Sequence, residues 1–154
     1  TMLLGVLGGG KILFADKIVS PRIPHDTFST PDGRFMAHCT AAGKVIMAHL
    51  PAEVCQAVLN EHGLEPMTEK SIRSVEALHE ELEIIKAQGH AYDFEESVVG
   101  MGSVAAPIFD YFGIEVAALC IAAPIQQFER RLDSYRKEVV YAAKQVSERL
   151  GHVI

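Results

Sequence analysis

Two apolar, β-compatible runs open the chain, Met2–Leu7 and Lys11–Ile18, and the Gly8-Gly9-Gly10 between them predicts a hairpin with a loose turn. From Ser20 to Ala37 the pattern dissolves. Pro21, Pro24, Pro31, the Ser29-Thr30 pair and Asp32-Gly33 predict a loop long enough to suggest a functional role. A helix follows over about Cys39–Leu50, apolar at Val45, Ile46, Met47 and Leu50 after the small-residue start Thr40-Ala41-Ala42-Gly43. Pro51 suits the first turn of a second short helix, Ala52–Asn60, which ends near Gly63. Ser74 reads as the N-cap of a third helix, with Val75, Leu78, Leu82 and Ile85 at helical spacing and Gly89 as its C-cap.

Beyond His90 the spacing becomes that of strands. His90–Glu95 predicts a short one, and Ser103–Asp110 with Glu115–Ala122 predict a second hairpin turned by Tyr111-Phe112-Gly113. The chain closes on a long amphipathic helix over Gln126–Leu150. Its apolar stripe, Phe128, Leu132, Tyr135, Val139, Ala142 and Val146, advances in steps of 4, 3, 4, 3 and 4 before Gly151 stops it. Two hairpins separated by helices predict an antiparallel sheet with helices packed on it, an α+β domain. No repeat or internal linker interrupts the pattern, so residues 1–154 read as one domain.

Composition narrows the class. The 154 residues are 49% hydrophobic and 22% charged, the balance of a globular protein with a sizeable core. A net charge of -6 disfavours tight binding of this domain to a phosphate backbone. The longest apolar run, Val116–Ile125, contains Pro124 and is about half the roughly 20 residues a spanning helix needs. Cys39, Cys55 and Cys120 are odd in number and form no C-x-x-C pair, which speaks against a disulfide scaffold and for a reducing compartment. A cytoplasmic location without a membrane partner is the expectation. Thr1 precedes Met2, which suggests that a preceding domain is missing from these residues.

Four motifs then share one resemblance. His38-Cys39-Thr40-Ala41-Ala42-Gly43-Lys44-Val45-Ile46-Met47-Ala48 resembles the effector domain of IclR-type transcription regulators, whose pattern there is roughly H-x-[ST]-A-x-G-K-A-x-L-A. Gly89-His90-Ala91-Tyr92-Asp93-Phe94-Glu95-Glu96 is similar to the family's G-Y-x-x-D-x-E-E element. Gly102–Asp110 is similar to its [RC]-I-A-A-P-V-x-D strand, and Val116–Ala122 to the strand that follows. Each motif alone is weak; four in family order at fitting spacing are fairly specific. The resemblance implies a GAF-like fold and a pocket on one sheet face for small, usually carboxylate-bearing metabolites. It implies no cofactor. It also implies dimers or tetramers, and an N-terminal winged helix-turn-helix that binds DNA and lies outside these residues.

The residues supply a chemistry for such a pocket. The first backbone N–H groups of a helix lack intrahelical partners and carry partial positive charge, and the small side chains of Thr40, Ala41, Ala42 and Gly43 leave them approachable by a carboxylate. The plainer alternative is that Ala-Ala-Gly only lets the helix pack close to the sheet. Asp93 stands where the family places a polar ligand contact; it could equally be a solvated acid beside Glu95 and Glu96. Strand alternation puts Ser103 on one face of its strand, and Cys120 and Ala122 together on one face of the next. Many relatives have Cys at the position of Ser103 and a hydroxyl near Ala122, so these departures imply a different or more apolar effector than glyoxylate or pyruvate. Phe35, with Met36, would be an apolar lid contact at the end of the Thr27–Phe35 loop, or else core.

Other functions have less support. His25, Asp26 and His38 could meet, but zinc needs about four ligands and no fourth presents itself. Cys39 beside His38 suggests a nucleophile, yet adjacent residues point apart and no orienting third group is evident. Gly8-Gly9-Gly10 lacks the Lys-Ser/Thr of a phosphate loop, and no other catalytic signature occurs. The leading reading is therefore a ligand sensor and not an enzyme. A small cysteine-dependent enzyme and a GAF-like oligomerisation module without ligand are the alternatives.

Overall fold

The structure is a computed structural model that describes residues 1–19 and 34–153. The chain forms β1 (Met2–Gly8), β2 (Lys11–Ile18) and β3 (Arg34–Met36), then a short 3-10 turn, Ala37–Cys39. Three helices follow, α1 (Ala41–His49), α2 (Ala52–His62) and α3 (Val75–Gln88). Next come β4 (Ala91–Phe94), β5 (Met101–Phe109) and β6 (Glu115–Pro124), and finally α4 (Ile125–Arg130) and α5 (Leu132–Arg149). The strands form one six-stranded antiparallel sheet in the order β3-β2-β1-β6-β5-β4. The architecture is α+β.

Both hairpins form where the apolar runs place them, and β1 joins them by pairing with β6, Leu3 opposite Cys120 and Gly5 opposite Ala118. Alternation along the strands then sorts the core into two layers. Leu3, Ala105, Ala118, Cys120 and Ala122 face α1, α2 and α3, whereas Val104, Ile108, Ala117, Ile121 and Ala123 face Phe128 of α4 and Tyr135, Val139 and Ala143 of α5. The predicted caps hold. The Ser74 hydroxyl accepts from the Ala77 N–H at 3.1 Å, and Gly89 ends α3 in the left-handed region at φ 82°. Among the described residues no helix is long and apolar enough to cross a membrane.

Two expectations need correction. The end of the predicted loop is a strand: Phe35 pairs with Ile12 in β3, so the sheet has a sixth member. The final helix is not continuous, because Arg131, at φ -114° and ψ 21°, separates α4 from α5. Its buried stripe also differs. Tyr135, Val139, Ala143 and Ser147 face the sheet at steps of four, while Val146 is exposed and Ala142 half-buried. Ser147 can occupy a buried position because its hydroxyl donates to the Ala143 carbonyl and accepts from the Phe109 N–H, both at 2.9 Å. A pattern of apolar letters alone passes over it.

Candidate functional site

The opening of α1 lies over the middle of the sheet. Thr40 is extended, and its hydroxyl accepts from the Gly43 N–H at 2.9 Å, while its carbonyl accepts from the Lys44 N–H at 3.0 Å. The second is the first regular bond of the helix; of the four donors that precede it, Gly43 is taken by the Thr40 hydroxyl and Thr40 by the Ala37 carbonyl at 3.4 Å. The N–H groups of Ala41 and Ala42 have no acceptor among the described residues, so the candidate anion receptor narrows to this pair. Gly43 has a different task. A Cβ on it would stand 2.0 Å from the carbonyl oxygen of Ala37, so only glycine lets the 3-10 turn fold back on the helix. Ala42 in turn sits against β1, where a Cβ on Gly5 would come within 3.1 Å of its own Cβ. Small residues here thus serve close packing, and Ala41 and Ala42 are themselves fully buried.

The floor beneath is polar at one row. Asp93 of β4 pairs with Ser103 of β5, which pairs with Ala122 of β6, and one row on Ala91 and Ala105 lead to Cys120. Directly opposed residues share a face, so Asp93, Ser103, Cys120 and Ala122 are brought together on the α1 side, all buried. Asp93 is not a solvated surface acid: it is 1% exposed. One carboxylate oxygen accepts from the Glu96 N–H at 2.7 Å, and the other accepts from the Ser97 hydroxyl at 2.5 Å. Burial raises its pKa, against the hydrogen bonds and the nearby Lys44 charge that lower it. Phe35 is also buried, packed edge-on against Phe14 at 5.5 Å within the same core layer. Met36 is half-buried beside it. Residues 27–33 of the candidate lid, with His25 and Asp26, lie outside the described residues.

Sequence reasoning passed over Lys44. It is fully buried, and its ammonium donates to Glu81 at 2.6 Å and to both oxygens of Glu96 at 2.9 and 3.1 Å. Glu96 also accepts from the Phe94 N–H at 3.2 Å, which ties the turn carrying Asp93 at both ends. The hydroxyls of Thr68 and Ser71 donate to the carbonyls of Glu95 and Glu96, and the Ser71 oxygen accepts from the Cys39 thiol at 3.4 Å. A closed circuit therefore runs from the 3-10 turn through residues 68–71 and 93–97 and back to α1. Burial raises Glu96 to about 7 in spite of Lys44, and Lys44 is held above its ordinary value because the two carboxylates outweigh the cost of its burial. The signal in the sequence was the pairing of the G-K and E-E motifs, 52 positions apart, which a reading of charges as surface features discards.

The cysteines are placed against nucleophilic chemistry. Burial raises the thiols of Cys39 and Cys55 and pushes Cys120 up to about 12, a rise that a hydrogen bond with Ser103 only partly offsets. Thiolate is the reactive form, so these are inert side chains. Burial lowers His38, whose Nε2 has no hydrogen-bond partner among the described residues. Among the described residues no three His, Cys, Asp or Glu side chains stand together to hold a metal ion.

A family model described as the C-terminal region of the bacterial transcriptional regulator IclR matches residues 1–148. The HTH-type transcriptional regulator BhcR of Paracoccus denitrificans is 34% identical over 151 residues, 96% of this chain and 53% of its own length. The HTH-type transcriptional regulator KdgR of Escherichia coli is 33% identical over 153 residues, 99% of this chain and 58% of its own. This chain thus spans little more than half the length of these curated relatives, which are regulators and not enzymes. The crystal structure of the C-terminal domain of E. coli KdgR superposes with a TM-score of 0.83 at 32% identity, covering 98% of this chain and 87% of that one. The GAF-like sheet is therefore common to both. Matched along nearly its whole length, the chain belongs to the IclR family of bacterial transcriptional regulators, as a C-terminal domain.

Proposed function

We propose that this is an effector-sensing domain for a small organic carboxylate. The acid would be received by the Ala41 and Ala42 N–H groups and bounded by Asp93, Ser103, Cys120 and Ala122, with Phe35 as apolar backing. The observation that carries the reading is the buried Asp93–Ser103 row on the sheet face that α1 covers, where two first-turn amide hydrogens lack acceptors among the described residues. Asp93 is held in place by Glu96 and Ser97, and a few fixed polar groups set in an otherwise apolar layer are the usual composition of a small-molecule site. Cys120 and Ala122 leave one wall without a hydroxyl, which favours an acid with an apolar portion.

In the full-length regulator, the acid would bias the packing of a dimer or tetramer and with it the spacing of preceding helix-turn-helix domains. That requires the acid to bind one arrangement better than the other, by about 1–3 kcal/mol. An IclR homologue from Microbacterium hydrocarbonoxydans, solved with 4-hydroxybenzoate, has this fold at 22% identity and a TM-score of 0.85, covering 97% of this chain and 60% of that one. That acid is a reasonable aromatic probe beside the smaller pyruvate and glyoxylate.

Calorimetry with these three acids tests the proposal. Asp93→Ala is expected to weaken whichever acid binds by about tenfold or more, the loss of one charge-assisted hydrogen bond that its carboxylate accepts from the acid's hydroxyl, its hydrate or a bridging water. The measurement belongs well below the variant's melting temperature, since Glu96 and Ser97 lose an acceptor too. Unchanged affinity removes Asp93 from the site. Failure of all three acids to bind the unaltered chain overturns the carboxylate reading.

A further inference from the structure

Charge does not balance on the sheet face beneath α1. Lys44 is the only buried lysine or arginine among the described residues, and its ammonium is already divided between Glu81 at 2.6 Å and Glu96 at 2.9 and 3.1 Å. Asp93 is equally buried, yet the hydrogen bonds it accepts among the described residues all come from uncharged donors: the Glu96 N–H, the Ser97 N–H at 3.4 Å and the Ser97 hydroxyl. Three carboxylates therefore share one ammonium, and two of them, Asp93 and Glu96, are linked through the Glu96 backbone.

The other titratable groups that face this turn add no positive charge. Burial holds Cys39 of the 3-10 turn and Cys120 of β6 as thiols, and burial keeps His38, near Lys44, in its neutral form. Lys70, from the segment before α3, pairs with Glu95 on the solvent side of the turn.

An anionic ligand on this face would bring a fourth carboxylate to a single cation. Carboxylates crowded together out of water do not all stay ionised; one of them takes up a proton. Asp93 has to remain a carboxylate if it is to accept a hydrogen bond from the acid, so the proton falls to Glu96. Burial already holds Glu96 at about 7, with Lys44 opposing the rise and Asp93 and Glu81 adding to it, so a modest further push carries it across neutral pH.

Resting on the sensor reading above, we infer that binding of a carboxylate effector takes up one proton from solvent at Glu96, so that the domain senses the acid and acidity together. The complex then binds more protons than the free domain, and by linkage the affinity rises as pH falls. The effect fades below about 7, where Glu96 of the free domain is itself protonated.

Titration calorimetry with 4-hydroxybenzoate, pyruvate and glyoxylate tests this, each acid measured at pH 8 in Tris and in HEPES, whose ionisation enthalpies differ. Uptake of up to one proton per bound acid appears as a difference in heat between the two buffers. From pH 6 to pH 8 the affinity should weaken by about five- to tenfold. Glu96→Gln keeps an oxygen for Lys44 but cannot take up a proton, so it should bind without buffer dependence and with equal affinity at both values. Glu81→Gln alters only a partly exposed side chain and should stay folded; by leaving Lys44 wholly to Glu96, it should move the fall in affinity to lower pH. An acid that binds with the same heat in both buffers overturns the proton linkage and leaves the sensor reading standing, as does a pH profile that Glu81→Gln fails to move. If none of the three acids binds, the sensor reading itself falls, and the linkage with it.

Discussion

Lys44 sets the electrostatics of the α1 site. An ammonium with no solvent exposure stays charged because Glu81 and Glu96 lie within hydrogen-bond distance, and Asp93 adds a third acid nearby. Burial leaves Glu96 with a folded value of about 7 against its ordinary 4.5, Lys44 opposing the rise and the neighbouring Asp93 and Glu81 adding to it. The stability due to that raised value is fully present below pH 4.5 and is lost as pH rises through 7. Lys44→Met removes the only cation hydrogen-bonded to Glu96 among the described residues and pushes Glu96 higher still. At pH 8 the variant is expected to lose about 3–5 kcal/mol, the cost of breaking a buried pair and leaving one charge behind. Toward pH 5 the loss should shrink, because Glu96 then takes up a proton. Urea unfolding at both values measures this; equal losses would mean that Lys44 acts through packing alone.

At the scale of elements, the joint between the 3-10 turn and α1 is the point of tightest approach. The Ala37 carbonyl occupies the space of a Gly43 side chain, and the obstructing atom is backbone, which cannot rotate away. Helix propensity favours alanine over glycine by about 1 kcal/mol, but Gly43→Ala is expected to cost about 2–3 kcal/mol net through overpacking. Thermal denaturation decides the sign, and a stabilised variant would show that the turn yields. Such joints explain what the sequence could and could not reveal. Caps and hairpins are local, so Ser74, Gly89 and Tyr111-Phe112-Gly113 announce themselves. Lys44 is polar by letter yet buried, because its partners lie on α3 and beyond β4, a distance no local pattern spans. Ser147 is hidden for the same reason, its acceptor role filled by β5. Three residues of β3 inside a proline-rich stretch are too few to show a period. For the site, Asp93 and Ser103 were legible as types, but only strand register shows that they adjoin.

For the whole molecule, the decisive contact is between chain segments far apart, β1 against β6. The first hairpin is thereby added to a sheet whose other half forms late in the chain, and both core layers depend on that seam. Leu3 stands at it, 1% exposed, opposite Cys120 and within the layer under α1. Leu3→Ala should cost about 2–5 kcal/mol for the cavity it leaves. The manner of unfolding matters more than the amount. All four tyrosines, Tyr92, Tyr111, Tyr135 and Tyr141, lie at β4 or later, so tyrosine fluorescence reports only on the later half of the chain, whereas far-UV circular dichroism reports on all of it. If residues 1–154 are one domain, as we propose, the seam transmits the damage. The two signals of Leu3→Ala should then fall together at a lower urea midpoint with an unchanged slope. A dichroism change that precedes the tyrosine transition would mean that the first hairpin detaches by itself, and that the chain is a late-strand core with an appended ribbon.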